Sequence, residues 1–335
     1  MYVVYPGSVN YTFLYQRPQQ LMRCFGWLGY EGIYINGPAI LEGSTNFKES
    51  TRVSEGLTVV PSNHRLDPYS KGNSLFYCTY PPYMHVAGII NPKLTIFDSI
   101  DEPVGVFKHW NIDNIHDNSI KSADVVLASA SKLYQHALEL NDNTIHVPNG
   151  CDFAHFKNPQ PEPEPLKSIP KPRITFTGAI ASWLDKELIL KIANEFPDAS
   201  IVLVGPFYDV EIKDIPPNIH ILGHQPYETM PGYLHNSDVL IIPFDVENPV
   251  IEATNPIKLW EYLATGKPIV TTNIKEVTMS CVWKGKDHED FLRGIERFLT
   301  KGQTKQNKTK SIRMARQNSW MERARRVKIK VDELL

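Results

Sequence analysis

Lys258 and Glu261 stand three residues apart in the stretch ATNPIKLWEYLATGKPIVTT, residues 253–272. That spacing sets a cation and an anion on one face of a helix. The residues around them frame the helix: Asn255 reads as its cap, Pro256 as its first residue and Gly266 as the residue just past its end. A helix N-terminus offers unpaired N–H groups and the positive end of a dipole, which favour an anion such as a phosphate. Lys258 would add a full charge there. Glu261, one turn deeper, would repel phosphate but can accept two hydroxyl hydrogens, as a ribose diol requires. Together they describe a nucleotide diphosphate lying along the helix. The same spacing equally describes a capped surface helix with an ordinary ion pair, worth about 0.2–0.5 kcal/mol.

A second group of charges, Asp98, Asp101 and Glu102, follows the apolar run at 94–97. A carboxylate just beyond the carboxyl end of a strand can take a proton from a bound hydroxyl. Asp101 is the first candidate for that base and Glu102 the second, while Asp98, nearer the strand, suits a structural acceptor. A helix-capping cluster before Pro103 is the competing reading. Arg17, just before Pro18, could meet a phosphate or a charged acceptor, or pair with an acid inside the fold. His85, His109 and His116 have no partner at ligand spacing and read as structural.

These residues need elements to hold them. Short β-rich runs at 2–5, 32–36, 57–60, 74–78, 94–97, 124–128 and 144–147 alternate with helical patterns at 18–29 and 131–140. Such alternation indicates βαβ units and a mostly parallel sheet. Composition then changes: residues 157–173 hold prolines at 159, 161, 163, 165, 170 and 172, which reads as a stiff linker. The alternation restarts with strands at 173–177, 200–204, 218–222, 239–242 and 268–272 and a helix at 184–196. The expected division is an N-terminal domain over 1–156, a linker over 157–172, a C-terminal domain over 173–308 and a tail over 309–335. In the tail Trp320, Ala324, Val327, Val331 and Leu334 form an apolar stripe, with Arg313, Arg316, Arg323, Arg325 and Arg326 mostly on other faces. That helix is expected to dock back toward the first domain, its basic side solvated or, on a sharper reading, set against anionic lipid.

The chain has 335 residues, enough for two domains, with 42% hydrophobic and 21% charged residues. A net charge of −2 gives no general pull toward nucleic acid. The four cysteines are scattered with no C-x-x-C pair, which argues against a zinc site or a disulfide framework. Neither a membrane span nor a signal peptide is legible, so a cytoplasmic protein is expected.

Several segments, in order along nearly the whole chain, resemble the GT-B glycosyltransferases, in particular the bacterial group related to family 4 and to teichuronic-acid-type sugar transferases. They are YQRPQQ at 15–20, FDSIDE at 97–102, SADVV at 122–126, VPNGCD at 147–152, FTGAIASW at 176–183, LGHQPY at 222–227 and TNPIKLWEYLA at 254–264. The resemblance implies an α/β chain with two Rossmann-like, doubly wound domains facing across a cleft. It implies that Glu261 holds the donor ribose and that Thr254, Asn255 and Lys258 contact the pyrophosphate or the donor sugar. The Gly178 loop would approach the phosphates, and His224, Gln225 and Tyr227 would line the base pocket, largely through backbone groups. Retaining relatives carry a Glu eight positions before the ribose Glu. Here that position is Ala253, with Glu252 one residue out of register, so the stereochemical outcome stays open.

What the resemblance implies is transfer of a sugar from a nucleotide diphosphate sugar, UDP-linked by preference, to a saccharide, lipid-linked or protein-linked hydroxyl in cell-surface polysaccharide or glycoconjugate synthesis. It implies no cofactor and no catalytic metal, although Asp98-x-x-Asp101 and Asp245-x-Glu247 superficially resemble cation ligands. A non-catalytic sugar-nucleotide-binding partner and a sugar-nucleotide epimerase of the same fold are the alternatives.

Overall fold

The computed structural model describes residues 1–39, 43–70, 72–210 and 215–335. The chain divides into two compact units. Unit 1 comprises Met1–Asn149, Ala253–Asn255 and Trp320–Leu335; unit 2 comprises Gly150–Glu252 and Pro256–Ser319.

Unit 1 is built on eight strands: β1 (Tyr2–Tyr5), β2 (Glu31–Ile35), β3 (Thr51–Ser54), β4 (Leu57–Val60), β5 (Ser74–Cys78), β6 (Leu94–Ser99), β7 (Val125–Ala128) and β8 (Thr144–His146). Their order is β3-β4-β2-β1-β5-β6-β7-β8. Every neighbouring pair is parallel except the β3–β4 edge pair. Sheets covered on both faces need continuous apolar strands. β5 and β7 meet that demand, being buried at every residue. Helices α1 (Arg17–Trp27), α2 (Val86–Ile90), α3 (Ile115–Ser122) and α4 (Ser131–Leu140) belong to this unit.

Unit 2 has six strands: β9 (Arg173–Thr177), β10 (Ser200–Val204), β11 (Ile219–Ile221), β12 (Val239–Ile242), β13 (Ile269–Thr271) and β14 (Trp283–Lys284). They lie in the order β11-β10-β9-β12-β13-β14, all parallel. The chain winds outward from β9 to β11, then returns to the other side of β9 at β12. The β9–β12 pair is therefore the switch point, where loops diverge and leave room for a ligand. The helices of this unit are α5 (Phe153–Phe156), α6 (Lys186–Glu195), α7 (Met230–His235), α8 (Pro249–Glu252), α9 (Ile257–Thr265), α10 (His288–Lys301) and α11 (Lys305–Gln317).

Three boundaries differ from expectation. The proline-rich segment 157–172 is not a free linker but a strap on unit 2. Leu166 and Ile169 are buried with Val202, Val204 and Tyr233. Arg173, itself buried, donates to the carbonyls of Leu166 and Ile169 at 2.8 and 2.6 Å and pairs with Glu162. Prolines lack N–H donors, so a segment rich in them offers mainly acceptors, and a buried arginine supplies the missing donors. The division between units instead falls at Asn149–Gly150. The tail is two helices rather than one, α11 and a C-terminal helix at Trp320–Asp332. The second packs on α1 of unit 1 through buried Trp320, Ala324, Val327 and Val331, while Leu334 stays 37% exposed. No helix among the described residues is long and apolar enough to cross a membrane.

Candidate functional site

The site in unit 2 begins with Tyr262. Its hydroxyl accepts hydrogen bonds from Thr177 N at 2.8 Å and Thr177 Oγ1 at 3.2 Å, fixing α9 to the end of β9. Lys258 lies one turn before Tyr262 on the same helix face, so its side chain reaches the switch point. There the ammonium lies 5.1 Å from the ring centre of Phe176 on β9 and 4.7 Å from that of Phe244 just after β12. An ammonium set over two aromatic faces is held electrostatically without a counter-ion. The side chain passes directly over Gly178 (φ +129°), where a Cβ would stand 2.7 Å from Lys258 Cε. A side chain at 178 would displace the end of the lysine and strain a backbone at φ +129°.

Among the described residues neither Lys258 nor Glu261 has a hydrogen bond or an ion pair within 4.0 Å; the lysine's recorded partners are the two rings. Each feels the other only at longer range. Burial pushes the Lys258 ammonium down to about 8, with Glu261 opposing the shift. Burial pushes the Glu261 carboxyl up to about 7; Lys258 opposes this and the Asp152 carboxylate adds to it. Both side chains remain partly exposed. A cation and an anion are thus presented one turn apart, each poorly compensated by the protein. The tip of α9 is also open: Pro256 occupies the cap position and no side chain closes it. Asn255 was expected there, but it stands one residue earlier. Its carbonyl accepts from Asn149 Nδ2 at 2.6 Å within unit 1.

Other predicted residues fare differently. Gln225 spends its side chain internally, donating to the Leu222 carbonyl at 2.8 Å and accepting from Tyr233 Oη at 2.9 Å. One N–H and one lone pair of its amide are thereby used within the fold. Tyr227 stacks on His155 with ring centres 4.7 Å apart, and His155 Nε2 meets its carbonyl at 3.0 Å. Thr254 and Asn255 group with unit 1, apart from Lys258 and Glu261 in unit 2. Ala253 is 1% exposed and packs with Ala128, Ala130 and Leu133. A glutamate there would place its carboxylate against these aliphatic side chains. Glu252 does not replace it, because its carboxylate pairs with Lys275 at 2.8 Å.

In unit 1 Arg17 pairs with an acid inside the fold, Asp98. It is 2% exposed and grips Asp98 through two bonds of 2.7 and 2.9 Å. It also donates to Val147 O at 2.8 Å and Asn149 Oδ1 at 3.1 Å. Tyr77 Oη donates to Asp98 at 2.6 Å, so the aspartate is fully engaged. Glu102 pairs with Lys132 at 2.8 Å. Asp101 differs from both: no hydrogen bond or ion pair of its carboxylate is recorded among the described residues. Burial pushes its pKa up to about 6 against the pull of the Arg17 charge. The loop bearing it is pinned by Ser129, whose Oγ donates to the Ile100 carbonyl at 2.8 Å. The sequence reading missed Phe176 and Phe244. Their signal was an aromatic at the carboxyl end of each strand flanking the switch point.

Comparison with known proteins identifies the fold. The described fold matches sucrose-phosphate synthase from Thermosynechococcus elongatus with a TM-score of 0.72 at 12% identity, covering 100% of this chain and 99% of that one. Anabaena HepE, solved in complex with UDP-glucose, matches at a TM-score of 0.70 and 12% identity over 99% of this chain and 100% of that one. The α,α-trehalose 6-phosphate synthase of Burkholderia multivorans gives 0.68 at 10% identity over 100% and 98%. The chain has the GT-B fold. Residues 165–301, most of unit 2, match the family described as Glycosyl transferases group 1. By fold the chain is similar to GT-B enzymes, and by this domain it is similar to group 1 glycosyl transferases. A Bacillus subtilis (strain 168) protein provisionally named as a teichuronic acid biosynthesis glycosyltransferase, TuaH, is 28% identical over 220 residues. That match covers 60% of this chain and 55% of the relative, about half of the relative's length.

Proposed function

We propose that the protein transfers a sugar from a UDP-sugar to a hydroxyl acceptor in the assembly of a cell-surface polysaccharide or glycoconjugate. One observation carries the donor half of this reading: Lys258 and Glu261 are presented unpaired, one turn apart, at the switch point of unit 2. Lys258 and the open tip of α9 supply what a pyrophosphate needs, a full positive charge and free N–H donors. Glu261 supplies the acceptor for a ribose diol. The backbone at Gln225 and Tyr227 borders the base. HepE's complex with UDP-glucose and the name of TuaH support the choice of nucleotide and of pathway.

In the reaction the acceptor oxygen bonds to the anomeric carbon and the bond to the UDP oxygen breaks. The charge that develops on UDP falls to Lys258 and the α9 amides. The acceptor proton falls to Asp101, whose carboxylate is ionised at neutral pH yet basic enough to accept it. The exposed arginines of α11 and the C-terminal helix are assigned to contact with an anionic membrane surface carrying the acceptor, on the cytoplasmic side.

A thermal-shift panel of nucleoside diphosphates and their sugars tests the reading. UDP-sugar at 100 times its dissociation constant should add about 2.7 kcal/mol, and Glu261→Ala should abolish that gain. No shift with any nucleotide overturns the donor site. UDP-sugar binding without turnover on any acceptor turns the chain into a non-catalytic sugar-nucleotide-binding partner.

A further inference from the structure

We propose that His116, Asp117 and His136 form a site in unit 1 for a zinc-class divalent cation, separate from the sugar-transfer chemistry. His116 and Asp117 sit on α3 and His136 on α4. Asp117 Oδ1 lies 3.4 Å from His116 Nδ1 and 2.9 Å from His136 Nε2. All three atoms lie within 4.8 Å of one another. Ligands about 2.0–2.2 Å from a tetrahedral zinc stand roughly 3.4 Å apart, so the cluster needs little adjustment to close on an ion. The two imidazoles lie nearly parallel, 16° between planes, flanking the carboxylate.

The orientation of His116 is fixed from behind. Its other ring nitrogen, Nε2, is 3.3 Å from Ser99 Oγ at the end of β6, and both residues are buried. Ser99 Oγ can hold Nε2 in either tautomer; with the N–H at Nε2, the Nδ1 lone pair turns toward the Asp117 oxygen, and a cation between them satisfies both. Such outer contacts orient metal-binding histidines generally. Two imidazole nitrogens and one carboxylate oxygen suit zinc or cobalt rather than magnesium or calcium, which prefer oxygen donors. The His136 side chain is 45% and that of Asp117 30% exposed, leaving an open side for a water ligand.

A bound ion would clip α3 to α4 and, through Ser99, brace the end of β6, from which the loop carrying Asp101 and Glu102 leaves. Motif spacing did not foreshadow the cluster, because the partners of His116 are its own neighbour and a residue of the next helix.

The test uses the full chain stripped with chelator and dialysed against zinc, with metal content measured per chain. One zinc per wild-type chain is expected, and none in His136→Gln or Asp117→Asn at the same free zinc. Both positions are partly exposed, and circular dichroism checks that the variants fold. Ser99→Ala should weaken zinc binding about tenfold. Cobalt in place of zinc should give the intense visible absorption of a tetrahedral centre, lost in His136→Gln, and excess magnesium should not displace it. Wild-type chain that takes up no zinc overturns the proposal, and so does zinc retained at wild-type affinity by both folded variants.

Discussion

Lys258 crosses Gly178 so closely that a Cβ at 178 would stand 2.7 Å from its Cε and 3.0 Å from its Nζ. The glycine and the lysine therefore form one device, and the rings of Phe176 and Phe244 complete it. Gly178→Ala should push the ammonium off both rings and strain a backbone at φ +129°. The expected cost is about 1–3 kcal/mol of stability, with UDP affinity down at least tenfold. Urea denaturation and calorimetric titration with UDP read the two effects separately. Unchanged UDP affinity in this variant would remove Lys258 from the phosphate site.

The pH dependence of donor binding follows from the same pair. Lys258 must keep its proton, which it loses as pH rises through about 8. Glu261 must lose its proton, which it does as pH rises through about 7. UDP-sugar affinity should therefore peak between these values and fall on both sides. Glu261→Gln removes the charge that holds the Lys258 pKa up, so for UDP itself the alkaline fall should move to lower pH. Titrations of both proteins across the range, at constant ionic strength, check the direction of that move.

Holding Lys258 charged and poorly solvated costs the free protein stability. Its folded pKa lies below the unfolded value, so the unfolded chain binds more protons between about 8 and 10.5, and stability rises with pH across that window. At pH 6 the penalty is fully present, while Glu261 is mostly protonated. Lys258→Met should then raise the melting temperature by about 2–4 °C, equivalent to roughly 1 kcal/mol, while abolishing the UDP shift. Melting curves of the two proteins without ligand, followed by the same pair with UDP, settle both points.

The α/β pattern was legible because parallel strands covered on both faces read as apolar runs, as Ser74–Cys78 does. The Lys258–Glu261 spacing was legible too. That the pair would stay unbonded was not, since the same spacing permits an ion pair; the rings that hold the ammonium come from two distant strands. Asn255 failed as a cap because capping needs the side chain to turn back on its own helix, and the backbone there is committed to Asn149. Proline content showed that residues 157–172 are stiff but not where they lie. The hint was Leu166 and Ile169, two apolar residues among prolines, now buried against unit 2. For Arg17 the alternative of an acid inside the fold prevailed, through a partner 81 residues away.

Because Arg17 and Asp98 are buried together, losing either leaves a charge without its partner. Arg17→Met should destabilise the protein by about 3–5 kcal/mol. Tyr77→Phe, which removes one bond to the same aspartate, should cost about 1–3 kcal/mol. Folded protein recovered from Arg17→Met at low temperature should keep the affinity of the wild type for UDP, measured by titration. A large loss of UDP affinity with little loss of stability would return Arg17 to the list of phosphate ligands.

Asp101 and Glu102 are adjacent in sequence, and one experiment separates them. Glu102 is neutralised by Lys132, so Glu102→Gln should cost about 0–1 kcal/mol and change turnover only a few-fold. Asp101→Asn should lower turnover about 10²–10⁴-fold if it takes the acceptor proton. The same change should stabilise the free protein at neutral pH. The folded pKa of about 6 lies above the unfolded value, so the group's contribution to stability is present at acid pH and is lost as pH rises through about 6. The acid limb of kcat/KM for the acceptor should fall near pH 6. It is measured at saturating donor so that Glu261, with its own value near 7, is already engaged. Activity lost while the melting temperature rises is the signature of a strained functional carboxylate. Activity lost together with stability would instead make Asp101 a structural residue.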